Sequence, residues 1–379
     1  MEYRLGVIGL GHWFKWLKTG IGVTGGLELK KAVGTRPFEE KKDILSGFGI
    51  TEGNYYISEG NGGVPSQFFD DIDVVHISDP NKFHAAQTMD SLEHGKYVIT
   101  EKTLAVNRSQ FNETAEYIRE RGFEDMIYLH LHYLHKRPTA MLKTMLPKLI
   151  RDNGRIRSVE ATFFEKTNSE DLRRTWLLEA ENGGIYMDWI HPYEVMFYAT
   201  RCSFGDITEL GNFVVNGSYS ERNPTGVETT LEVRGDNYTA DATALVRVAK
   251  GVESRYSGKY MKIIFESGNY ALLCYPGHEV EFSTAKRGSI RLVDGDTNST
   301  VMSKSFSGSN SSELFVGEVI DFCNGNHKGL RLSDMEEIFK PQWEYQDMLG
   351  SAELVKDSSK VSAFLDRNAE EGMQCDDPS

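Results

Sequence analysis

Over the first 130 residues, short runs rich in apolar residues alternate with longer amphipathic stretches. The runs are Tyr3–Ile8, Leu27–Val33, Ile72–Ser78 and Tyr97–Thr100, with one more around Met126–His132. Helical stretches fall near 37–48 and from His84 to His94. Apolar runs of strand length bounded by Gly and Pro read as strands buried on both faces, and strand-helix-strand alternation predicts a doubly wound parallel sheet. Ligands of such a sheet sit beyond the carboxyl ends of its strands. After a Pro138-initiated helix to about Asp152 and a strand through Arg157–Phe164, the pattern changes. From Asp206 onward it has a period of two, in Thr229–Arg234, Tyr238–Ala249, Tyr260–Glu266, Tyr270–Tyr275 and Glu279–Thr284. The separators Gly235-Asp236-Asn237 and Ser267-Gly268-Asn269 are turn signals, so these segments predict antiparallel hairpins. Helices are expected over 185–199 and near 312–324 and 333–350. The expected division is a first α/β domain over 1–126, a second α+β domain with a large, mostly antiparallel sheet over 127–350, and an acidic, polar tail over 351–379 that frays after Lys360.

The turn after the first run carries the first chemistry. Gly9-Leu10-Gly11-His12-Trp13-Phe14 follows a strand and opens a helix. Gly9 permits a tight turn, and Gly11 lets backbone N–H groups approach a pyrophosphate at the positive helix end, as in a Rossmann dinucleotide site. A third glycine is absent, Phe14 standing in its place, so the helix is expected to sit differently or to begin later. Beyond the second run an NAD-specific site would place an acid on the ribose 2′-hydroxyl. The chain instead reads Gly34-Thr35-Arg36-Pro37. Arg36 suits a 2′-phosphate, with Thr35 as a hydroxyl donor, and the expected cofactor is NADP, with NAD as the alternative. Ser78, Pro80, Asn81 and His84, and then Glu101 and Lys102, follow the ends of later strands and complete the expected cofactor-binding set with Gly9, Leu10, Gly11, His12, Trp13, Thr35 and Arg36.

A second constellation opens the helix at 185. In Gly183-Gly184-Ile185-Tyr186-Met187-Asp188-Trp189-Ile190-His191, a carboxylate and an imidazole stand three residues apart, on one face if the segment is helical. Taken alone, such a pair also fits a core histidine beside an aspartate. His130-Leu131-His132-Tyr133-Leu134-His135 offers imidazoles on one strand face, but its ligands would have to converge from separate segments, and no metal is expected. A net charge of −14 speaks against nucleic acid and anionic membrane surfaces as partners. No apolar run approaches a membrane span. The first residues enter the strand pattern without a charged-then-apolar leader, so a cytoplasmic location is expected. The four cysteines lie far apart and are expected to be reduced.

Taken together, Gly9-x-Gly11, Pro80-Asn81-x-x-His84, Glu-His-Gly-Lys leading to Glu101-Lys102, and Gly183-Gly184-x-x-x-Asp188-x-x-His191 occur in this order. Over roughly residues 3–350 the chain resembles the glucose–fructose oxidoreductase / inositol dehydrogenase (Gfo/Idh/MocA) family. It departs from the family pattern in Thr103, where Glu-Lys-Pro is usual, in Phe14, and in Trp176-Leu177-Leu178, where Trp-Arg is frequent. The resemblance implies that Lys102, Asp188 and His191 are the catalytic or substrate-contacting residues of an oxidoreductase, and that copies associate through the open face of the second sheet as a homodimer or homotetramer. Hydride transfer between an alcohol carbon and nicotinamide needs a proton exchanger and a group that stabilises the developing oxyanion. His191 suits the first role, Lys102 the second, and Asp188 would orient His191. Tyr133, Lys166 and Trp176, with Arg173 and Arg174 nearby, are candidates for the pocket of a sugar or polyol substrate. Two other readings stand beside a dehydrogenase: a nicotinamide retained and recycled, as in sugar–sugar oxidoreductases or NAD-dependent glycosidases, and a noncatalytic NADP-sensing protein.

Overall fold

A computed structural model describes residues 2–58, 60–166, 185–218, 220, 223–275, 288–306, 311–326, 330–348 and 352–366. The chain forms two compact units, residues 1–135 with 310–335, and residues 136–309 with 336–379. In the first, β1 (Tyr3–Ile8), β2 (Leu27–Gly34), β3 (Tyr55–Ile57), β4 (Val74–Ile77), β5 (Tyr97–Glu101) and β6 (Ile127–His130) form a parallel sheet in the order β3-β2-β1-β4-β5-β6. The order reverses between β1 and β4, the switch point at which such sheets bind ligands. Helices α1 (His12–Thr24), α2 (Phe38–Leu45), α3 (His84–Glu93) and α4 (Arg108–Arg121) lie between the strands in sequence.

The apolar runs have the burial that their composition demands. Leu5, Val7, Ile8, Val74, Val75 and Ile77 are fully buried, and each such side chain stabilises the fold by about 1.5–3 kcal/mol. In α1, Phe14, Trp16, Leu17 and Ile21 share one core with Leu29, Ile99 and Tyr128. Phe14 is accommodated by packing inward, edge-on to Phe48 at 6.5 Å between ring centroids, and α1 nonetheless begins at His12. α4 is bounded by local chemistry: the Asn107 side chain accepts the Gln110 N–H at 2.9 Å, and Gly122 closes the helix in the left-handed region. Two elements lie on the other side of the expected division at residue 126. β6 is the last strand of the first sheet, and the helix Ser311–Cys323 returns to the first unit, placing Phe315, Val316, Val319 and Phe322 in its core. That helix packs so closely on α1 that a Cβ on Gly20 would collide with the Ser312 carbonyl.

The second unit contains α5 (Arg137–Asn153), β7 (Ile156–Lys166), α6 (Tyr186–Thr200), β8 (Ser203–Phe213), β9 (Gly226–Arg234), β10 (Tyr238–Val252), β11 (Gly258–Phe265), β12 (Tyr270–Tyr275), β13 (Gly288–Val293), β14 (Thr300–Phe306) and β15 (Leu354–Val355). Its nine strands run in the order β14-β13-β12-β11-β7-β10-β9-β8-β15, with only β7–β10 and β8–β15 parallel. The expected hairpins β9–β10 and β11–β12 are present, the latter turning through Gly268 at φ +90°. The expected strand Glu279–Thr284 lies outside the described residues. On one face, Phe163 meets Tyr275, whose hydroxyl lies 3.1 Å from Thr139 of α5, and Tyr193 of α6 meets Thr229 at 3.2 Å.

On another part of this sheet residues 352–366 pack against the strands. β15 pairs with β8, and Phe364 stacks on Phe213 at 4.3 Å and meets Phe164 at 5.1 Å. Phe364 and Leu365 are thus part of a buried cluster, and residues 367–379 of the expected tail lie outside the described residues. Cys202 and Cys323 are buried and free, whereas Cys274 is disulfide-bonded, against the expectation of reduced thiols throughout. Among the described residues, no helix is long and apolar enough to cross a membrane.

Candidate active site

In the first unit the candidate site is built on the turn between β1 and α1. Gly9 adopts φ +93°, and a Cβ there would lie 2.6 Å from Asp79 N and from Ser78 C. The turn is fastened to the end of β4, since Ser78 Oγ donates to the Gly9 carbonyl at 2.9 Å and Ser78 N to the Ile8 carbonyl at 2.8 Å. Gly11 is the N-cap of α1. It makes no side-chain cap and no acid stands in the first helical turn, while a Cβ on Gly11 would meet nothing within 4 Å. The first N–H groups of α1 are thus presented beside open space, which suits an anion. Leu10 is buried, and the side chains of His12 and Trp13 lie outside the described residues. Thr35 and Arg36 are exposed just past the end of β2, with the Arg36 backbone held by the Tyr55 hydroxyl at 2.5 Å.

Other sequence-identified residues lie at the ends of β4 and β5. Asn81 is buried in a short turn that leads into α3. His84 is fully enclosed, its Nδ1 2.8 Å from the Thr103 carbonyl and its Nε2 2.6 Å from the Asp79 carbonyl. Burial pushes its pKa down, opposed by those two carbonyls. Both ring nitrogens thus face backbone carbonyls, so the neutral ring donates to one of the two and only the imidazolium to both. Asp79 is raised by burial, opposed by a hydrogen bond from Gln87 Nε2 at 2.8 Å. Lys102 is 7% exposed at the carboxyl end of β5, and the Lys102–Thr103 peptide bond is cis.

Glu101 lies in a buried cluster that sequence reasoning missed. His130 Nδ1 is 2.5 Å and His76 Nε2 3.3 Å from Glu101 Oε1. Burial pushes the Glu101 carboxyl up, but His130 and then His76 outweigh it and bring its pKa down to about 2. His130 is itself lowered by burial. At neutral pH the pair is a carboxylate accepting from a neutral imidazole. Donor atoms of His76, Glu101 and His130 lie within 4.8 Å of one another, the spacing of a potential metal site. Two ligands of a tetrahedral ion with bonds near 2.0 Å stand about 3.3 Å apart, so the 2.5 Å contact is that of a hydrogen bond. The histidines at 130, 132 and 135 do not converge on one point. His130 joins Glu101, whereas His135 Nδ1 lies 3.6 Å from Glu318, which also accepts from the Tyr128 hydroxyl at 2.8 Å. Tyr133 is buried beside His132 in the turn after β6.

In the second unit, His191 lies on α6 and is 3% exposed. Its Nδ1 is 3.3 Å from Oε2 of Glu194, a fully buried carboxylate one helical turn on. Glu194 is thus a carboxylate within reach of the His191 ring. The backbone of Asp188 is in α6, but its side chain lies outside the described residues, as does Trp176. Lys166 ends β7, half-buried. The missed residues carried a weak signal: His76 interrupts the apolar run Val74-Val75-His76-Ile77, and Glu194 stands at i+3 from His191.

Residues 24–127 match the model of an oxidoreductase family with an NAD-binding Rossmann fold, Gfo/Idh/MocA. The match lies wholly within the first unit, over β2 to the start of β6. Among curated proteins no sequence matches. Solved structures of similar fold include KijD10, a 3-ketoreductase from Actinomadura kijaniata in complex with NADP and TDP-benzene, at 18% identity and TM-score 0.68 over 94% of this chain and all of that one. An aldose–aldose oxidoreductase from Caulobacter crescentus complexed with glycerol is 16% identical, with TM-score 0.69 over 98% of each chain. Myo-inositol 2-dehydrogenase from Lactobacillus plantarum is 15% identical, with TM-score 0.69 over 92% of this chain and 98% of that one. At these identities the likeness is one of fold. A parallel Rossmann sheet followed by a mostly antiparallel sheet is consistent with the two-domain Gfo/Idh/MocA fold.

Proposed function

We propose that this protein is a member of the Gfo/Idh/MocA family and an NADP-dependent dehydrogenase that transfers hydride between nicotinamide and a carbinol or anomeric carbon of a sugar or polyol. The observation that carries the reading is Lys102, an enclosed ammonium directly beyond the carboxyl end of β5 in a parallel sheet whose ligands bind at that edge. Lys102 bonds the reacting oxygen and stabilises its negative charge, and His191 exchanges the hydroxyl proton with Glu194 fixing its ring. Gly9 and Gly11 make room for the pyrophosphate. Arg36 and Thr35, with no acid between β2 and α2 before Glu39, suit the 2′-phosphate of NADP. The fold-level neighbour named as an aldose–aldose oxidoreductase favours one second reading, in which the nicotinamide stays bound and is recycled between two sugars.

A panel of aldoses, polyols and sugar acids with NADP and NAD, followed by the absorbance of the reduced nicotinamide, tests the proposal. Turnover with at least one sugar or polyol is expected, and His191→Ala is expected to lower kcat by about a hundredfold or more while NADP affinity changes little. Unchanged kcat in that variant removes His191 from proton exchange. Reduction within a single turnover without release of NADPH selects the recycling mode.

A further inference from the structure

Lys102 is flanked by two residues whose positions are set by buried polar groups, one on each side. Glu101 and His130 are register partners at the ends of β5 and β6, and His76 on β4 is the register partner of Ile99, two residues before Glu101. The three side chains therefore share one face of the sheet. That face is walled by aromatic rings, with Trp16 of α1 stacked on His130 at 4.9 Å and Phe315 stacked on it at 3.9 Å. A carboxylate in such a wall has lost its hydration and is stable only while hydrogen bonds replace it. Here the hydrogen bond comes from His130 on the neighbouring strand, so the Glu101 carboxylate ties together the ends of β5 and β6, with His76 of β4 3.3 Å from the same oxygen. On the other side, the His84 ring is wedged between the Thr103 carbonyl at 2.8 Å and the Asp79 carbonyl at 2.6 Å and donates to one of them when neutral. The backbone is thus held at residues 101 and 103, immediately before and after the lysine.

We propose that Glu101 and His84 are positioning residues for Lys102, with His130 holding the Glu101 carboxylate in place. The proposal rests on the reading that Lys102 meets the reacting oxygen. An anion enclosed among aromatic rings contributes little to stability compared with apolar residues of the same volume. Its place one residue from a group that must be aimed is accounted for by geometry, since a misplacement of about 1 Å at a reacting group can lower a rate about a hundredfold. The long lysine side chain has four rotatable bonds of its own, so a fixed backbone is the first requirement for a fixed ammonium.

The test measures the position of Lys102 without any substrate. In Glu101→Gln and His84→Phe, reductive methylation of Lys102 is followed by mass spectrometry, with Lys340, which donates to the Phe204 carbonyl in the other unit, as the internal reference. Loss of either clamp is expected to raise the Lys102 labelling rate by about fivefold or more while Lys340 stays constant. His130→Asn, whose amide nitrogen takes the place of Nδ1, is expected to remain within about twofold of the native rate. With a turned-over substrate, the same two variants are expected to lose about ten- to hundredfold in kcat with the KM for NADP within about threefold. If Glu101→Gln does not fold, His84→Phe carries the test alone. Labelling of Lys102 within about twofold of native in every folded clamp variant overturns the inference. Lys102→Met separates it from the functional reading: full turnover in that variant ends the role of Lys102 in catalysis, whereas the labelling rates report on its placement either way.

Discussion

Gly9 and Gly11 are two residues apart, and the structure assigns them different tasks, which a pair of alanine substitutions separates. At Gly9, φ +93° lies in a region that an L-residue enters at about 1–2 kcal/mol. The new Cβ would lie 2.6 Å from backbone atoms of Ser78 and Asp79, which cannot rotate away, and overpacking of that kind adds about 1–3 kcal/mol. Gly9→Ala is therefore expected to destabilise the first unit by about 2–5 kcal/mol. At Gly11 the φ is −84° and nothing stands within 4 Å of an added Cβ. Gly11→Ala should lose only about 0.5–1 kcal/mol, through the weaker N-cap. The open space beside Gly11 is where a pyrophosphate must approach the N–H groups of α1, so the methyl group should weaken NADPH by about tenfold or more, or about 1.4 kcal/mol. Urea unfolding followed by circular dichroism gives the first quantity, and a fluorescence titration of NADPH gives the second. A Gly9→Ala protein within about 0.5 kcal/mol of native stability, or a Gly11→Ala protein with native NADPH affinity, would refute the division of labour.

Three further outcomes follow from other parts of the molecule. Arg36→Glu is expected to weaken NADPH by about tenfold or more relative to NADH, and equal loss for both cofactors in a binding titration removes Arg36 from 2′-phosphate recognition. Glu101 and His130 both have native pKa values below their ordinary ones, so in each case the unfolded chain binds the proton more readily. Stability is then expected to fall as pH drops below the ordinary histidine value of 6.5, and further from 4.5 toward 2, with Glu101→Gln flattening the lower part of the curve; a Glu101→Gln slope as steep as native in denaturant midpoints below pH 4.5 would contradict this. Phe364→Ala removes a buried ring stacked on Phe213 and is expected to destabilise the second unit by about 3–5 kcal/mol. A loss below about 1 kcal/mol in urea would mean that the chain end adds little to that fold.

The sequence makes local decisions legible and leaves long-range pairings open, and particular residues show where the line falls. Tyr270–Tyr275 is readable as a strand because its bounds are set by a neighbouring turn, and β1 because it is apolar on both faces and runs into a glycine turn. β3 escapes notice because three residues at a sheet edge, with Ile57 exposed, carry no periodicity. The helix Ser311–Cys323 is visible as an apolar stripe, but a stripe does not name its partner, and here the partner is α1, about three hundred residues earlier in the chain. The same limit explains the site. In the run His130-Leu131-His132, a period of two puts both imidazoles on one face only while the strand continues, and β6 ends at His130. The residue that does share a face with His130 is Glu101, its register partner on the adjacent strand, a relation fixed by the parallel pairing of β5 with β6 and written nowhere in the spacing of the histidines. A lone buried histidine in an apolar strand, as at His76, is the local trace of such a pairing: an imidazole placed among Val74, Val75 and Ile77 must find a polar partner or destabilise the sheet, and the partner has to come from a neighbouring strand.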